Sequence, residues 1–511
     1  MDFYTLNLTA LLLLCLFLFL SQRRASSQQP SSSPTTTPLL KPTGKQKPKR
    51  PPPPTKSKSK PKSLTPFLLA YTLATASDWL QGAHIAPLYI DEHRLPASLI
   101  PAMFATGFGS GALSAAWCGR WADRHGRKKA CVAFCAVYAA SCILTATGGW
   151  ELFGGGGGDG QEWERLGWLF LGRAFGGIGT SLLFVAWESW VVGFLKREGE
   201  GDGEVRRVLG WMSGLNSVSA VGCGVVSEWL VSMTGTKKAP FLAAAAILLP
   251  AAIIISIYWE ENHGTPSPST TNQPTKPAPR LKPILTNPNI LALALASTAF
   301  EGSMYLFVFF WAAALRSSSS PSTTSLPYGV IFACFMASTL ASSLCFSRLT
   351  RHRLFPPARL LGVILAVSAG CFGLLSSITT ITTTTTTVPS GGSPLSWIMG
   401  SGIHPAHAAF YLFCLFEAAV GLYWPCAGAL KGMLVDEAVR AHVYGALRVP
   451  VNVFVVASLA GMMRLQQQEE GGKGDGEEVV HGKVFGGCAA LLAATAGVVW
   501  AVLGRGGGRR G

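Results

Sequence analysis

The hydrophobic residues of this chain are gathered into long blocks of roughly 18 to 25 residues, which polar stretches separate. An α-helix needs about 20 apolar residues to cross a bilayer, and lipid offers no partner to an unpaired backbone N–H or C=O group. The blocks therefore predict transmembrane helices and not strands. Twelve spans are expected, at residues 67–90, 97–118, 128–147, 166–194, 207–231, 239–258, 287–314, 327–347, 358–378, 404–429, 443–463 and 484–503.

A further apolar run, within residues 1–20, precedes the twelve blocks. No basic region comes before it and no A-x-A cleavage site follows it directly, so an extra membrane helix is favoured over a signal peptide. Residues 21–66 contain eleven Lys or Arg and no acidic residue, among many Pro, Ser and Thr. Such a segment cannot bury a core, so it is expected to be a disordered cytosolic linker.

The loops divide the chain and orient it. Six spans form a first half, 67–258, and six form a second half, 287–503; a polar loop, 259–286, separates them, and a basic tail, 504–511, follows. Basic loops alternate with acidic or neutral ones along the whole core. By the positive-inside rule, the basic loops and both ends of the core lie in the cytosol, and the extreme N-terminus lies outside. The expected fold class is an all-α membrane protein.

The composition excludes several other classes. The net charge of +16 would suggest a nucleic-acid partner in a soluble protein, but here the excess lies in short loops between spans. The twelve cysteines form no CxxC pair, and the nine histidines form no HxxxH pattern. No nucleophile–base pair stands out either. We therefore expect no metal, no cofactor, no nucleic-acid partner and no enzymatic activity.

One loop, GRWADRHGRKK at 119–129, concentrates charge between two apolar blocks. A phosphate cradle would need a strand before it, and none is predicted. Its spacing resembles the GxxxD-R-x-G-R-[KR] signature of the major facilitator superfamily. The resemblance implies a cytosolic gating loop, in which glycine permits a tight turn and Asp123 pairs with basic groups or caps a helix end as a latch. The matching residues are Gly119, Asp123, Arg124, Gly126, Arg127 and Lys128.

Other segments resemble one branch of that superfamily. GRAFGGIGTS at 172–181 is a second mark of the superfamily. The stretches ASDWLQG, AWESW, AFEGSMYLFVFFW, YGVIFACFMASTLASSL, FEAAVGLYWP and RVP are together similar to the eukaryotic molybdate-anion transporter family, over about residues 67–460. The similarity implies two six-helix halves and import of molybdate, a tetrahedral dianion, without chemical change. The chain departs from that family in the linker, a Gly-rich loop and a Thr-rich loop.

Ionisable side chains inside the spans are costly in lipid and mark candidate functional sites. Arg173 is the first choice for the anion ligand, because a guanidinium presents a planar fork of donors to an oxyanion. The alternative is that Arg173 only pairs with Asp78 and holds two spans together. The candidate substrate-binding residues are Arg173, Asp78, Gln81, Tyr89, Asn216 and Arg448; the candidate coupling or inter-helix residues are Glu188, Glu301 and Glu417. Arg448 could equally be an inner gate or an arginine that snorkels to the interface.

The expected function is secondary transport of molybdate by a monomer in the plasma membrane, with the lipid bilayer as its surroundings and protons as the candidate coupling ion. Two alternatives remain open. One is a proton-coupled carrier of another small solute or of a sulfate-like oxyanion. The other is a membrane sensor that has kept the fold without transport.

Overall fold

The computed structural model describes residues 2–27, 63–149, 161–263, 286–318, 326–351, 355–383, 404–435, 440–470 and 476–504. Within these residues the chain is almost entirely helical. The long helices are α1 Phe3–Ser27, α2 Thr65–Gly82, α3 Ile100–His125, α4 Arg127–Thr147, α5 Gln161–Arg197, α6 Asp202–Thr234, α7 Ala239–Tyr258, α8 Pro288–Ser317, α9 Tyr328–Arg351, α10 Pro357–Thr383, α11 Pro405–Leu434, α12 Arg440–Glu470 and α13 Gly476–Val502. Helix α1 corresponds to the first apolar run, and α2 to α13 correspond to the twelve expected spans.

Eleven of these helices are long and apolar enough to cross a membrane. The other two, α2 and α3, lie in the first half and carry charged side chains such as Asp78 and Arg120. The predicted all-α membrane fold is confirmed.

Several helices extend beyond the predicted spans. Helix α1 continues to Ser27, beyond residue 20, and residues 28–62 of the expected linker lie outside the described residues. Helix α3 continues to His125, so Gly119 lies inside a helix and forms no turn. The expected outer loop 464–483 is helical in α12 up to Glu470 and in α13 from residue 476. Hydropathy indicates which residues contact lipid, whereas helical hydrogen bonding continues into water.

The first span is shorter than predicted. Helix α2 ends at Gly82; a helical turn at Ile85–Pro87 and a π-helical turn at Leu88–Glu92 follow it. Pro87 explains the break, because proline lacks an N–H and its ring collides with the carbonyl four residues earlier. That carbonyl belongs to Ala83, where the helix is interrupted.

The helices pack as two groups. In the first half α5 lies against α3 and α4, and α2 lies against α6 and α7. In the second half α10 packs on α13 and α11, and α9 packs on α11. The halves meet where α6 contacts α9 and where α3 contacts α12. One apolar core lies within the first half, and a second fills the other half and continues across the interface to first-half residues such as Met103 and Phe104.

Helix α1 belongs to the second half. It lies along α9, where the Sγ of Cys15 donates to the Ala337 carbonyl at 3.3 Å and Arg348 donates to the Ser21 hydroxyl. At the opposite end the Phe3 ring stacks on His407 of α11, with 3.7 Å between ring centroids. The amino end of α1 thus lies beside the ends of α9 and α11 that the predicted topology places outside the cytosol.

Candidate functional site

Small residues let α5 approach its neighbours closely. Gly177 faces α3, where an added Cβ would overlap the Gly107 carbonyl. Gly172 and Gly179 face α4, and the Gly172 carbonyl accepts a hydrogen bond from Ser141 at 2.7 Å. The run GRAFGGIGTS therefore places two glycine-lined faces on one helix, and Arg173 lies between its neighbours α3 and α4.

The Arg173 side chain reaches toward α3. Its guanidinium carbon lies 5.4 Å from the centroid of the Phe104 ring. A Cβ at Gly107 would come within 2.8 Å of Nη2, so the guanidinium lies directly against this glycine. The Nε atom is buried and has no hydrogen-bond partner. Among the described residues no carboxylate lies within 4.0 Å of this guanidinium, so the alternative Arg173–Asp78 pair is not formed.

Asp78 has a different partner. Its Oδ1 accepts a hydrogen bond from the hydroxyl of Tyr138, and the same hydroxyl accepts one from Nε2 of Gln81 at 2.6 Å. Arg173 acts on the charge of Asp78 from a greater distance. Sequence reasoning missed Tyr138. The signal that could have found it is its place on α4, opposite the glycine run of α5.

The other two candidates of the first half differ in their surroundings. The Tyr89 hydroxyl is buried beside the hydroxyl of Thr145, within reach of the Arg173 charge. Asn216 is engaged elsewhere, because its Oδ1 accepts a hydrogen bond from Nε1 of Trp79 at 2.9 Å. The structure therefore brings together four of the predicted or newly found groups: Asp78, Gln81, Tyr138 and Arg173.

The second half holds two buried carboxylates. Glu301 accepts a hydrogen bond from the Tyr423 hydroxyl at 2.7 Å, and Nζ of Lys431 lies 3.9 Å from the same oxygen. Glu417 accepts one from Thr339 of α9 at 2.7 Å. Both carboxylates therefore link helices inside the second half.

Two further candidates lie within electrostatic reach of residues beside these groups. Arg448 and Glu301 both act on Tyr305, and Glu188 and Asp78 both act on Tyr71. The side chains of Arg448 on α12 and Glu188 on α5 are both exposed. The exposure of Arg448 fits the reading in which it lies in a gate or at the interface.

Charged residues join the two halves at their outer ends. Asp91, in the turn after α2, contacts Nη1 of Arg316 on α8 at 2.6 Å and Nζ of Lys237 at 3.1 Å. Nearby, Glu228 of α6 accepts a hydrogen bond from the backbone N–H of Gly329 on α9 at 2.7 Å. These contacts close the outer side of the interface between the halves.

On the side of the interface that the predicted topology places toward the cytosol, a ring contact is followed by an exposed residue. Phe108 of α3 contacts Tyr305 of α8, with 5.0 Å between ring centroids. Ala112, one turn closer to the cytosol on the same face of α3, is exposed. The exposure of Ala112 indicates that the two halves pack less closely one turn beyond Phe108.

The signature loop is bound to the segment that follows α7. Gly126 has a φ of 116°, and an added Cβ would overlap the carboxyl group of Glu261. That carboxylate accepts hydrogen bonds from the backbone N–H groups of Lys128, at 2.8 Å, and Lys129, at 3.3 Å. Sequence reasoning missed Glu261, because it gave the polar loop no role.

Asp123 has its partner within the same loop. Its Oδ1 contacts Nη2 of Arg127 at 2.9 Å, and the other terminal nitrogen of Arg127 donates to the Ser189 carbonyl on α5. The carboxylate thus connects α3 to α4, and through Arg127 to α5, all within the first half.

Proteins of known name resemble the chain over most of its length. A major facilitator family model, described as sugar transporters with 12 transmembrane segments, matches residues 54–401. The molybdate-anion transporter of Takifugu rubripes is 28% identical over 458 residues, which cover 84% of each protein. The molybdate-anion transporter of Xenopus tropicalis is 27% identical over 394 residues, which cover 76% of each.

Solved structures show the same arrangement of helices. The peptide transporter POT in complex with sulfate aligns with a TM-score of 0.62 at 14% identity, over 86% of this chain and 94% of that one. The nucleoside transporter NupG aligns with a TM-score of 0.58 at 12% identity, over 86% of this chain and 99% of that one. At these identities the likeness establishes the fold alone.

Proposed function

Since the chain belongs to the major facilitator superfamily of membrane transporters, we propose that it is a secondary transporter that imports molybdate. The relatives named molybdate-anion transporters match it over most of its length and motivate the choice of substrate. No bond of the substrate needs to be made or broken in this function.

The observation that carries the proposal is the Arg173 guanidinium. It lies roughly 18 Å from the outer end of α5, at a rise of about 1.5 Å per residue, and so near the middle of the bilayer. No described carboxylate pairs with it, and its Nε lacks an acceptor. A half-buried cation with no described carboxylate in direct contact suits a dianion, and the guanidinium fork matches two oxygens of a tetrahedral oxyanion. Gln81 and Tyr138 lie in the adjoining network around Asp78.

The carrier would work by alternating access. The closed outer contacts of Asp91 and the exposed Ala112 correspond to an inward-facing state. Import then requires a second state, in which the outer contacts break and the cytosolic halves of α3 and α12 meet. The loop at Gly126 would stabilise the first half as a rigid unit during this motion.

Protons are the candidate coupling ion. Glu301 and Glu417 are buried carboxylates that accept hydrogen bonds from Tyr423 and Thr339, respectively. Carboxylates inside membrane spans commonly relay protons in transporters, because they can gain and lose a proton there. The plasma membrane and a monomeric carrier remain part of the proposal.

Uptake by purified protein in proteoliposomes tests the proposal. Labelled molybdate should accumulate above the level of protein-free liposomes, and unlabelled tungstate and sulfate should compete in proportion to their likeness to molybdate. A neutral hexose should not compete, because it offers no charge to Arg173. Competition by the hexose without competition by any oxyanion would refute an anion site. Binding of molybdate without accumulation in the liposomes would favour the alternative in which the protein is a membrane sensor.

A further inference from the structure

The Tyr138 hydroxyl forms hydrogen bonds with two partners. Its oxygen accepts a hydrogen bond from Nε2 of Gln81 at 2.6 Å, and its hydrogen is donated to Oδ1 of Asp78. A phenol carries a single hydrogen, so the donor is fully used by the carboxylate. Tyr138 is 4% exposed, which keeps water from competing for these bonds.

The ring of Tyr138 is fixed by its neighbours. It stacks on Phe134, one turn earlier on α4, with 5.2 Å between ring centroids. On the other side lies Gly179 of α5, where an added Cβ would come within 2.5 Å of the ring. The glycine therefore determines where the hydroxyl lies. A phenylalanine at this position would keep the same packing and lose only the hydroxyl.

Without that hydroxyl Asp78 would need another donor, because a carboxylate that is half-buried in the protein still loses part of its hydration. Arg173 already acts on the charge of Asp78, and its buried Nε has no acceptor. A direct Asp78–Arg173 pair would use the two parallel N–H groups that an oxyanion requires. The carboxylate would then compete with the substrate for the same fork.

We propose that Tyr138 is a positioning residue that holds Asp78 away from Arg173 and so keeps the guanidinium available for the oxyanion. The inference rests on the proposed function, since it assumes that Arg173 binds the anion. It also gives the fourth glycine of GRAFGGIGTS a role, because Gly179 makes room for the ring of Tyr138.

Molybdate uptake by Tyr138→Phe, Asp78→Asn and the double variant tests this role. If the new pair occupies about nine carriers in ten, Tyr138→Phe should raise the KM for molybdate about tenfold. The double variant should return the KM to that of Asp78→Asn alone, because a neutral amide cannot neutralise Arg173. The matched control is Tyr411→Phe, since Tyr411 is exposed on α11 and should leave the KM unchanged.

A second variant, Gly179→Ala, should also allow Asp78 to pair with Arg173. Gly179→Ala should displace the ring of Tyr138 and raise the KM likewise, and Asp78→Asn should again reverse the effect. An equal rise in KM with and without Asp78→Asn would overturn the inference, because Tyr138 would then contact the anion itself. An unchanged KM in Tyr138→Phe would overturn it too. If Arg173→Gln instead transports molybdate normally, Arg173 does not bind the anion and the inference fails, whereas absence of molybdate uptake by the unaltered protein would refute the proposed function itself.

Discussion

The contact between Asp91 and Arg316 should hold the outer ends of the two halves together, and Arg316→Gln should weaken it. The two side chains are 23% and 52% exposed, and their closest atoms are 2.6 Å apart. Partly exposed ion pairs contribute about 0.5 to 1 kcal/mol. Asp91 keeps its second partner, Lys237, so the loss should not exceed that range. The ratio of inward-facing to outward-facing carriers should therefore fall roughly two- to fivefold.

The rate at which a cysteine on α3, at the interface between the halves, reacts with a thiol reagent measures this ratio. Ala112→Cys places it one turn below the Phe108–Tyr305 contact, where a membrane-impermeant reagent can enter from the cytosolic side. Ten of the twelve native cysteines are buried and all are free, which keeps background labelling low. Labelling should slow when Arg316→Gln is added.

The control for this experiment is Arg165→Gln. Arg165 lies on the same outer face, but it donates to the His93 carbonyl at 2.9 Å, within the first half. Its loss should leave the labelling rate at Ala112→Cys unchanged. Labelling that stays constant or rises in Arg316→Gln would refute the view that this ion pair stabilises the inward-facing state.

Three further predictions concern the signature loop and the first helix. Gly126→Ala should lower the melting temperature, and should lower the free energy of unfolding by about 1 to 3 kcal/mol, because it combines a φ of 116° with a collision against Glu261. Gly199→Ala is the control, since Gly199 has a φ of 80° with open space around it, and it should cost less stability. Equal losses in the two variants would show that the collision with Glu261 contributes nothing. Asp123→Asn should reduce the transport rate more than the affinity, because it loosens Arg127 far from the site; unchanged turnover in inserted protein would count against a gating role. Helix α1 should remain in the mature protein, because it packs on α9, and a mature chain that begins near residue 25 in mass spectrometry would contradict this.

The sequence predicted the number and order of the spans because lipid contact requires apolar blocks of a fixed length. Helix α7, at Ala239–Tyr258, has the predicted bounds, since it ends close to the limit of its apolar block. The extensions of α3 and α12 could not be predicted in the same way. Helical hydrogen bonds are as well satisfied in polar sequence as in apolar sequence, so hydropathy alone does not mark their ends.

The sequence predicted the residues of the site that carry a charge. Arg173 and Asp78 stand out because ionisable groups within a span are costly, and the structure puts them within electrostatic reach. Tyr138 does not stand out, because tyrosine is common in membrane helices and its partner depends on how α4 packs against α2 and α5. The role of Glu261 could not be predicted from the sequence for a similar reason. Its role arises only when the chain folds back onto Gly126.

Molybdate uptake by Arg173 variants in proteoliposomes tests the central claim most directly. Arg173→Lys keeps the charge and loses the fork, so it should retain weakened uptake, whereas Arg173→Gln should retain almost none. Asp78 keeps its hydrogen bond from Tyr138 in both, so both variants should insert with near-normal thermal stability. The double variant with Asp78→Asn should insert equally well and still carry no anion. Normal molybdate uptake by Arg173→Gln, alone or in the double variant, would contradict the account and remove Arg173 from the site.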